Sequence, residues 1–162
     1  MKKLLLLTAV SALFFTFCSA QPSPKASAQG KGVSVSYGAP SKKGREIFGG
    51  LVPYGQVWRT GANNATEITF AADTKFGGQD IKAGTYSLFT IPGEKEWTII
   101  LNSELKQWGS FGYEKIKAKD VLKVTATPVK IKEVVEQFTI RFDSSNNLIL
   151  EWDTTQVSVK VG

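Results

Sequence analysis

Polar and apolar residues alternate along this chain in short runs, each stopped by glycine, proline or a small polar cluster. A period of two puts every second side chain on the same face of a strand, so such runs fold as sheets that bury one face. Val33, Val35 and Tyr37 alternate with Ser34 and Ser36. Residues 67–70 alternate, and Gly77-Gly78 marks a hairpin after Phe76. Residues 85–91 end at Pro92-Gly93, residues 97–101 follow a charged turn, and residues 121–127 end at Pro128. In 134–142, Val134, Phe138, Ile140 and Phe142 share a parity, with Glu136 the exception. Residues 148–152 and 157–161 finish the chain. No stretch after residue 20 keeps a helical period, and 104–108 offers one short turn at most. Eight or nine strands at spacings near ten residues predict an all-β fold. The expected form is a single antiparallel β-sandwich, jelly-roll-like, with a closed barrel as the alternative.

The N-terminus reads as an address rather than as part of the fold. Met1-Lys2-Lys3 is a short basic start, and residues 4–17 are apolar. That run is shorter than the roughly 20 residues of a membrane span. Cys18-Ser19-Ala20 then offers small residues before Gln21, the pattern of a secretory signal peptide cleaved after Ala20. Residues 1–20 are therefore expected to be removed, 21–31 to form a disordered Ser/Pro/Ala-rich tail, and 32–162 to form the β-sandwich domain. No membrane span is expected in the mature chain. The destination is the periplasm or the exterior. A lipid anchor on Cys18 is the competing reading, disfavoured because bulky Phe17 precedes that cysteine.

Composition then narrows the chemistry. The chain has no histidine and one cysteine, Cys18. A Ser-His-Asp triad, a Cys-His dyad and a histidine-ligated zinc are excluded. With Cys18 gone, no disulfide can staple the domain, and its stability rests on its core. Removing Lys2 and Lys3 takes 20 basic residues to 18 against 14 acidic, a charge of +4. The lysines are spread along the strands rather than gathered on one element, which reads as a solvated face and not as a nucleic-acid surface.

One stretch, 37–66, breaks the strand pattern. It holds two of the three arginines, Arg45 and Arg59, and six of the 15 glycines. A loop of about thirty residues inside a domain this size is uncommon and more often functional than not. Arg45 and Arg59 are fixed-charge forks suited to carboxylate, sulfate or phosphate, and Lys43 adds charge. Asn63 and Thr66 supply directed hydrogen bonds, while Tyr54 and Trp58 supply flat faces. Lys43, Arg45, Tyr54, Trp58, Arg59, Asn63 and Thr66 are the candidate ligand-binding residues. The competing role for each is structural: arginine and asparagine pin irregular loops, and a tryptophan ending an apolar run belongs in a core. The runs YGAPSKKGREIFGGLVPYGQVWRTGANNAT and AGTYSLFTIPGEKEWTIILN resemble the bacterial domain-of-unknown-function family 2911, from about Val33 to Val161. The resemblance implies an exported, β-rich protein. It implies no reaction and no catalytic residue.

Carboxylates are the remaining acid-base candidates. Glu46 lies in the dense stretch and Glu67 directly follows it, so the two could converge, and Glu151 and Asp153 sit two apart on an expected strand, so that they share a face. Asp143, Asn146 and Asn147 form a hairpin turn in preference to a calcium loop. No metal and no cofactor is expected. The reading preferred on these grounds is a non-catalytic binding module for a polar or anionic small molecule or glycan. A carboxylate-dependent hydrolase or lyase, and a protein-interaction module of the cell envelope, are the alternatives.

Overall fold

The computed structural model describes residues 22–162. The signal-peptide and Cys18 readings lie outside the described residues. Among the described residues ten strands, one short α-helix and one 3-10 turn follow in order: β1 (Lys25–Gly30), β2 (Val33–Gly38), β3 (Thr66–Phe70), β4 (Thr74–Phe76), β5 (Gln79–Ile81), β6 (Gly84–Ile91), β7 (Trp97–Asn102), α1 (Tyr113–Ile116), the 3-10 turn (Lys117–Lys119), β8 (Asp120–Ala126), β9 (Val129–Phe142) and β10 (Asn147–Lys160).

The alternation read from the sequence is what builds the sheets. A six-stranded antiparallel sheet runs in the order β1-β2-β3-β6-β7-β8. One of its faces carries Val33, Val35, Ile68, Phe70, Leu88, Ile99, Leu101 and Val124, all buried. The long β9–β10 hairpin lies over that face and supplies Phe138, Ile140, Leu148, Leu150, Trp152 and Val157 to the same core. Two antiparallel layers around one hydrophobic core make a β-sandwich. The β4–β5 hairpin closes one end, with Phe76 bridged to Val161, the residue after β10. Tyr37 crosses the layers: its hydroxyl accepts the Ile140 N–H at 3.0 Å. Among the described residues no helix is long and apolar enough to cross a membrane.

Two expectations are corrected. The tail expected to be disordered over 21–31 holds β1, which pairs residue for residue with β2 from Lys25↔Gly38 to Gly30↔Val33. Main-chain bonds and a ready neighbour suffice for an edge strand, so small polar residues such as Ala26 and Ser27 can form one. The two terminal runs are one continuous strand, β10. The polar stretch 153–156 is absorbed by register shifts against β9, and Asp153 sits at φ 54°. Lys42 holds the Asp153 carboxylate at 2.7 Å, which secures that bulge.

The same hairpin carries a pH-sensitive ion pair. Arg141 donates to Glu151 through Nη2 at 2.6 Å and Nε at 3.2 Å. This two-pronged bond holds the Glu151 carboxyl below the usual carboxylate range. A lowered folded pKa gives stability that is present above the unfolded value of about 4.3 and lost as pH falls through the folded value. Thermal melts from neutral pH downward are therefore expected to fall more steeply below about pH 4.3 in the native protein than in Glu151→Gln.

Candidate functional site

The dense stretch 37–66 enters the sheet alongside β6, beyond the start of β3. Trp58 takes the place that an extension of β3 would occupy: its N–H donates to Thr90 O at 2.7 Å and its carbonyl accepts the Thr90 N–H at 3.0 Å. Upstream, Gly55 N–H donates to Pro92 O at 2.8 Å. Downstream, the buried Thr60 Oγ1 and Thr90 Oγ1 are 3.0 Å apart, and Thr66 Oγ1 donates to Thr60 O at 2.6 Å. The stretch is thus laid along a strand and then folded back into β3. The turn at 60–63 presses against the end of β2, where Ala62 N–H donates to Gly38 O at 3.2 Å.

A second loop, 103–112, lies on the other face of the sheet. Asn102 anchors its base by donating to Ile116 O at 2.9 Å and Asp120 Oδ1 at 2.7 Å. Ser87 Oγ donates to Glu104 O at 2.7 Å. Tyr113 packs edge-on to Phe89, and its phenol donates to Asp120 at 2.6 Å. Burial and that acceptor push the Tyr113 phenol well above its ordinary pKa. The loop then zips onto the dense stretch: Ala65 N–H to Gln107 O at 2.9 Å, and Gly109 N–H to Asn63 O at 3.1 Å. These bonds flank and fix Trp108, which is 68% exposed; Phe111, two residues past the second bond, is 85% exposed.

Two cavities of about 420 Å³ each open where the loops meet, and Ala62 lines both. The first is lined by Arg45, Arg59, Leu51, Val57, Trp58 and Phe111, with further apolar walls. No carboxylate lines it. The Arg59 guanidinium has no ion pair or hydrogen bond among the described residues, and its Nε is buried without a partner. Burial pushes its pKa below the ordinary value. At Gly109, φ is 70°; a side chain there would begin 3.0 Å from the Phe111 ring and 3.4 Å from Arg59 Nη1. The bare glycine leaves open the space that both groups border. The second cavity is lined by Lys25, Asn64, Glu67, Lys106, Asn63 and Trp108, among others. A third, near the chain end, has its charges spent on exposed pairs, Lys82–Asp73 and Lys75–Asp80.

The seven candidate residues separate accordingly. Arg45 and Arg59 reach the first cavity, and Asn63 reaches the second. Arg45 also closes its own turn, donating to Ser41 O at 2.6 Å and Lys42 O at 2.9 Å. Asn63, at φ 64°, donates to Ser23 O at 2.9 Å and pins the N-terminal segment between the cavities. Trp58 is a core side chain with only its edge on the first cavity; its indole stacks on Trp152 at 5.9 Å and donates to Gly61 O at 3.1 Å. Thr66 is fully buried. Lys43 is exposed and lines neither cavity. Tyr54 lies on the surface beside Gly49 and lines neither.

The carboxylate pairs do not assemble. Glu67 lines the second cavity and accepts the Lys106 N–H at 3.1 Å, while Glu46 lines neither. Glu151 is tied to Arg141 and Asp153 to Lys42, with a register shift between them. Asp143 accepts the N–H groups of Ser145 and Asn147, both at 2.9 Å, as a turn residue. Among the described residues no three acidic side chains gather to hold a metal ion. Trp108 and Phe111 escaped the sequence reading. Their one signal was a pair of aromatics set among glycines in a stretch with no period, 108–112.

Comparison with known proteins adds one finding. The family described as "Protein of unknown function (DUF2911)" matches residues 19–161, most of the chain. No curated protein and no solved structure matches it.

Proposed function

The chain belongs to the DUF2911 family, and from that premise we propose that it is a non-catalytic binding protein for a small organic anion, seated on Arg59. The observation that carries this reading is the uncompensated guanidinium. Arg59 is half-buried, and a cation partly withdrawn from water with no partner carries a desolvation cost that an anion would offset. Arg59 meets no carboxylate in its cavity, so a ligand's anionic group is the missing partner. Leu51, Val57 and Phe111 offer apolar contact beside it, which selects an acid with an apolar body over a bare inorganic ion. Arg45 reinforces the positive field at the mouth. The lining holds no acid or base for proton transfer, which favours binding over turnover. The signal-peptide pattern read in residues 1–20 supports a site of action outside the inner membrane.

The test is a thermal-shift titration with aromatic and aliphatic carboxylates, their phosphate and sulfonate counterparts, and the matching neutral amides. A ligand at 100 times its Kd adds about 2.7 kcal/mol, several degrees for a domain of this size. Anions are expected to raise Tm and amides not to. Arg59→Gln is expected to weaken anion binding by about 30-fold or more, because truncating one partner of a close charge pair costs about 2–5 kcal/mol. Its unliganded Tm should hold or rise slightly, since a half-buried charge without a partner is removed. An Arg59→Gln protein that unfolds, or that keeps the anion response, overturns the reading.

A further inference from the structure

We infer that the second cavity is a binding site for a saccharide ring, with Trp108 as its stacking platform. The inference does not depend on the Arg59 cavity. Trp58, Trp97 and Trp152 are 8%, 2% and 1% exposed, whereas Trp108 is 68% exposed. A tryptophan carries a large apolar surface that folding normally buries. Trp108 is held out by ordered structure: its residue is bridged to Asn64, and the bonds from Ala65 and Gly109 flank it on either side. A fixed, exposed indole on the wall of a cavity of about 420 Å³ offers a flat face to a flat apolar surface. The carbon-bound hydrogens of a pyranose ring present such a surface, and its hydroxyls demand donors and acceptors around the rim.

The rest of the lining supplies them. Glu67 Oε1 accepts the Lys106 N–H at 3.1 Å, which orients the carboxylate and leaves its other oxygen to accept from sugar hydroxyls. Asn64 is exposed beside the indole and carries both a donor and an acceptor. Lys25 and Lys106 flank the cavity and form no ion pair among the described residues, so both remain donors. Two lysines against one glutamate disfavour a cationic ligand over the indole and accommodate neutral or acidic sugars.

Acrylamide quenching of tryptophan fluorescence reads this site directly, because Trp108 is the exposed one of the four. The probes are cellotetraose, chitotetraose and tetragalacturonate, with choline as the cation. Saturable shielding of Trp108 by at least one sugar is expected, and Trp108→Phe should lose the quenchable emission. Glu67→Gln and Asn64→Ala should each weaken that sugar about tenfold, the loss of one directed hydrogen bond. Arg59→Gln should leave the sugar titration unchanged, so failure of the anion reading and failure of this one are distinguishable. No shielding by any of the three sugars at millimolar concentration overturns the inference. So does shielding by choline alone, or loss of sugar binding in Arg59→Gln.

Discussion

Trp58→Ala is expected to cost about 3–5 kcal/mol and to lower Tm by ten degrees or more, whatever it does to ligand binding. Trp58 stands at the centre of an aromatic cluster. Its ring lies 5.0 Å from Phe138, 5.9 Å from Phe48 and Trp152, and 6.4 Å from Trp97. Removing it opens a void that four rigid rings cannot collapse to fill, and the cost of a truncation grows with the cavity left behind. The indole N–H also holds Gly61 O, which would lose that partner. Against a total stability of about 5–15 kcal/mol, the loss takes a large share. Trp108→Ala is the matched control. The same atoms are removed from a side chain that is 68% exposed, and the expected change is within about 0.5 kcal/mol. Denaturant titrations of the two variants decide the matter. Equal effects would mean that Trp58 is a surface platform.

That contrast also measures how far the site was legible in the sequence. The strands were legible because a half-buried strand must alternate, and Val33, Val35, Ile68 and Phe70 do so. β1 was not, because an edge strand held by main-chain bonds leaves no apolar signature in Lys25, Ser27 or Gln29. The continuity of β10 was hidden for a related reason. Asp153, Thr154, Thr155 and Gln156 have turn-like composition, but the chain crosses them as a strand with half-buried side chains. In the site, Arg59 stood out because a fixed charge in a glycine-rich loop is unusual. Trp58 was open to two roles, platform or core, because aromatic type says nothing of direction; its place at the end of an apolar run favoured the core, and its backbone pairing with Thr90 turns the ring into the sandwich. Trp108 was missed because its meaning comes from the partner segment 63–65, about forty residues away, and no local pattern records that pairing.

Both cavities depend on one contact between backbones, and Gly38→Ala is expected to break it. A side-chain carbon at Gly38 would begin 2.1 Å from Ala62 O and 2.8 Å from the carbonyl carbon. Backbone cannot swing aside as a flexible side chain can, so the 60–63 turn must move by about an ångström or more to reach ordinary contact distance. The Ala62 N–H bond to Gly38 O is lost with that movement, and both groups are buried. Overpacking of about 1–3 kcal/mol and an unmade buried bond of similar size give an expected cost of about 3 kcal/mol. That corresponds to roughly ten degrees in Tm. The functional loss should exceed the loss of stability. Gly38 and Asn63 line the second cavity, Gly61 and Arg59 line the first, and Ala62 lines both, so a displaced turn disturbs both. Gly112→Ala provides the reference. There φ is −88°, and the nearest atom to the new carbon is Gln107 Oε1 at 3.6 Å. A Gly112→Ala protein should melt within a degree or two of the native one and keep its ligand responses. If Gly38→Ala melted alongside it, the close approach of β2 and the 60–63 turn would not be what holds the cavities open.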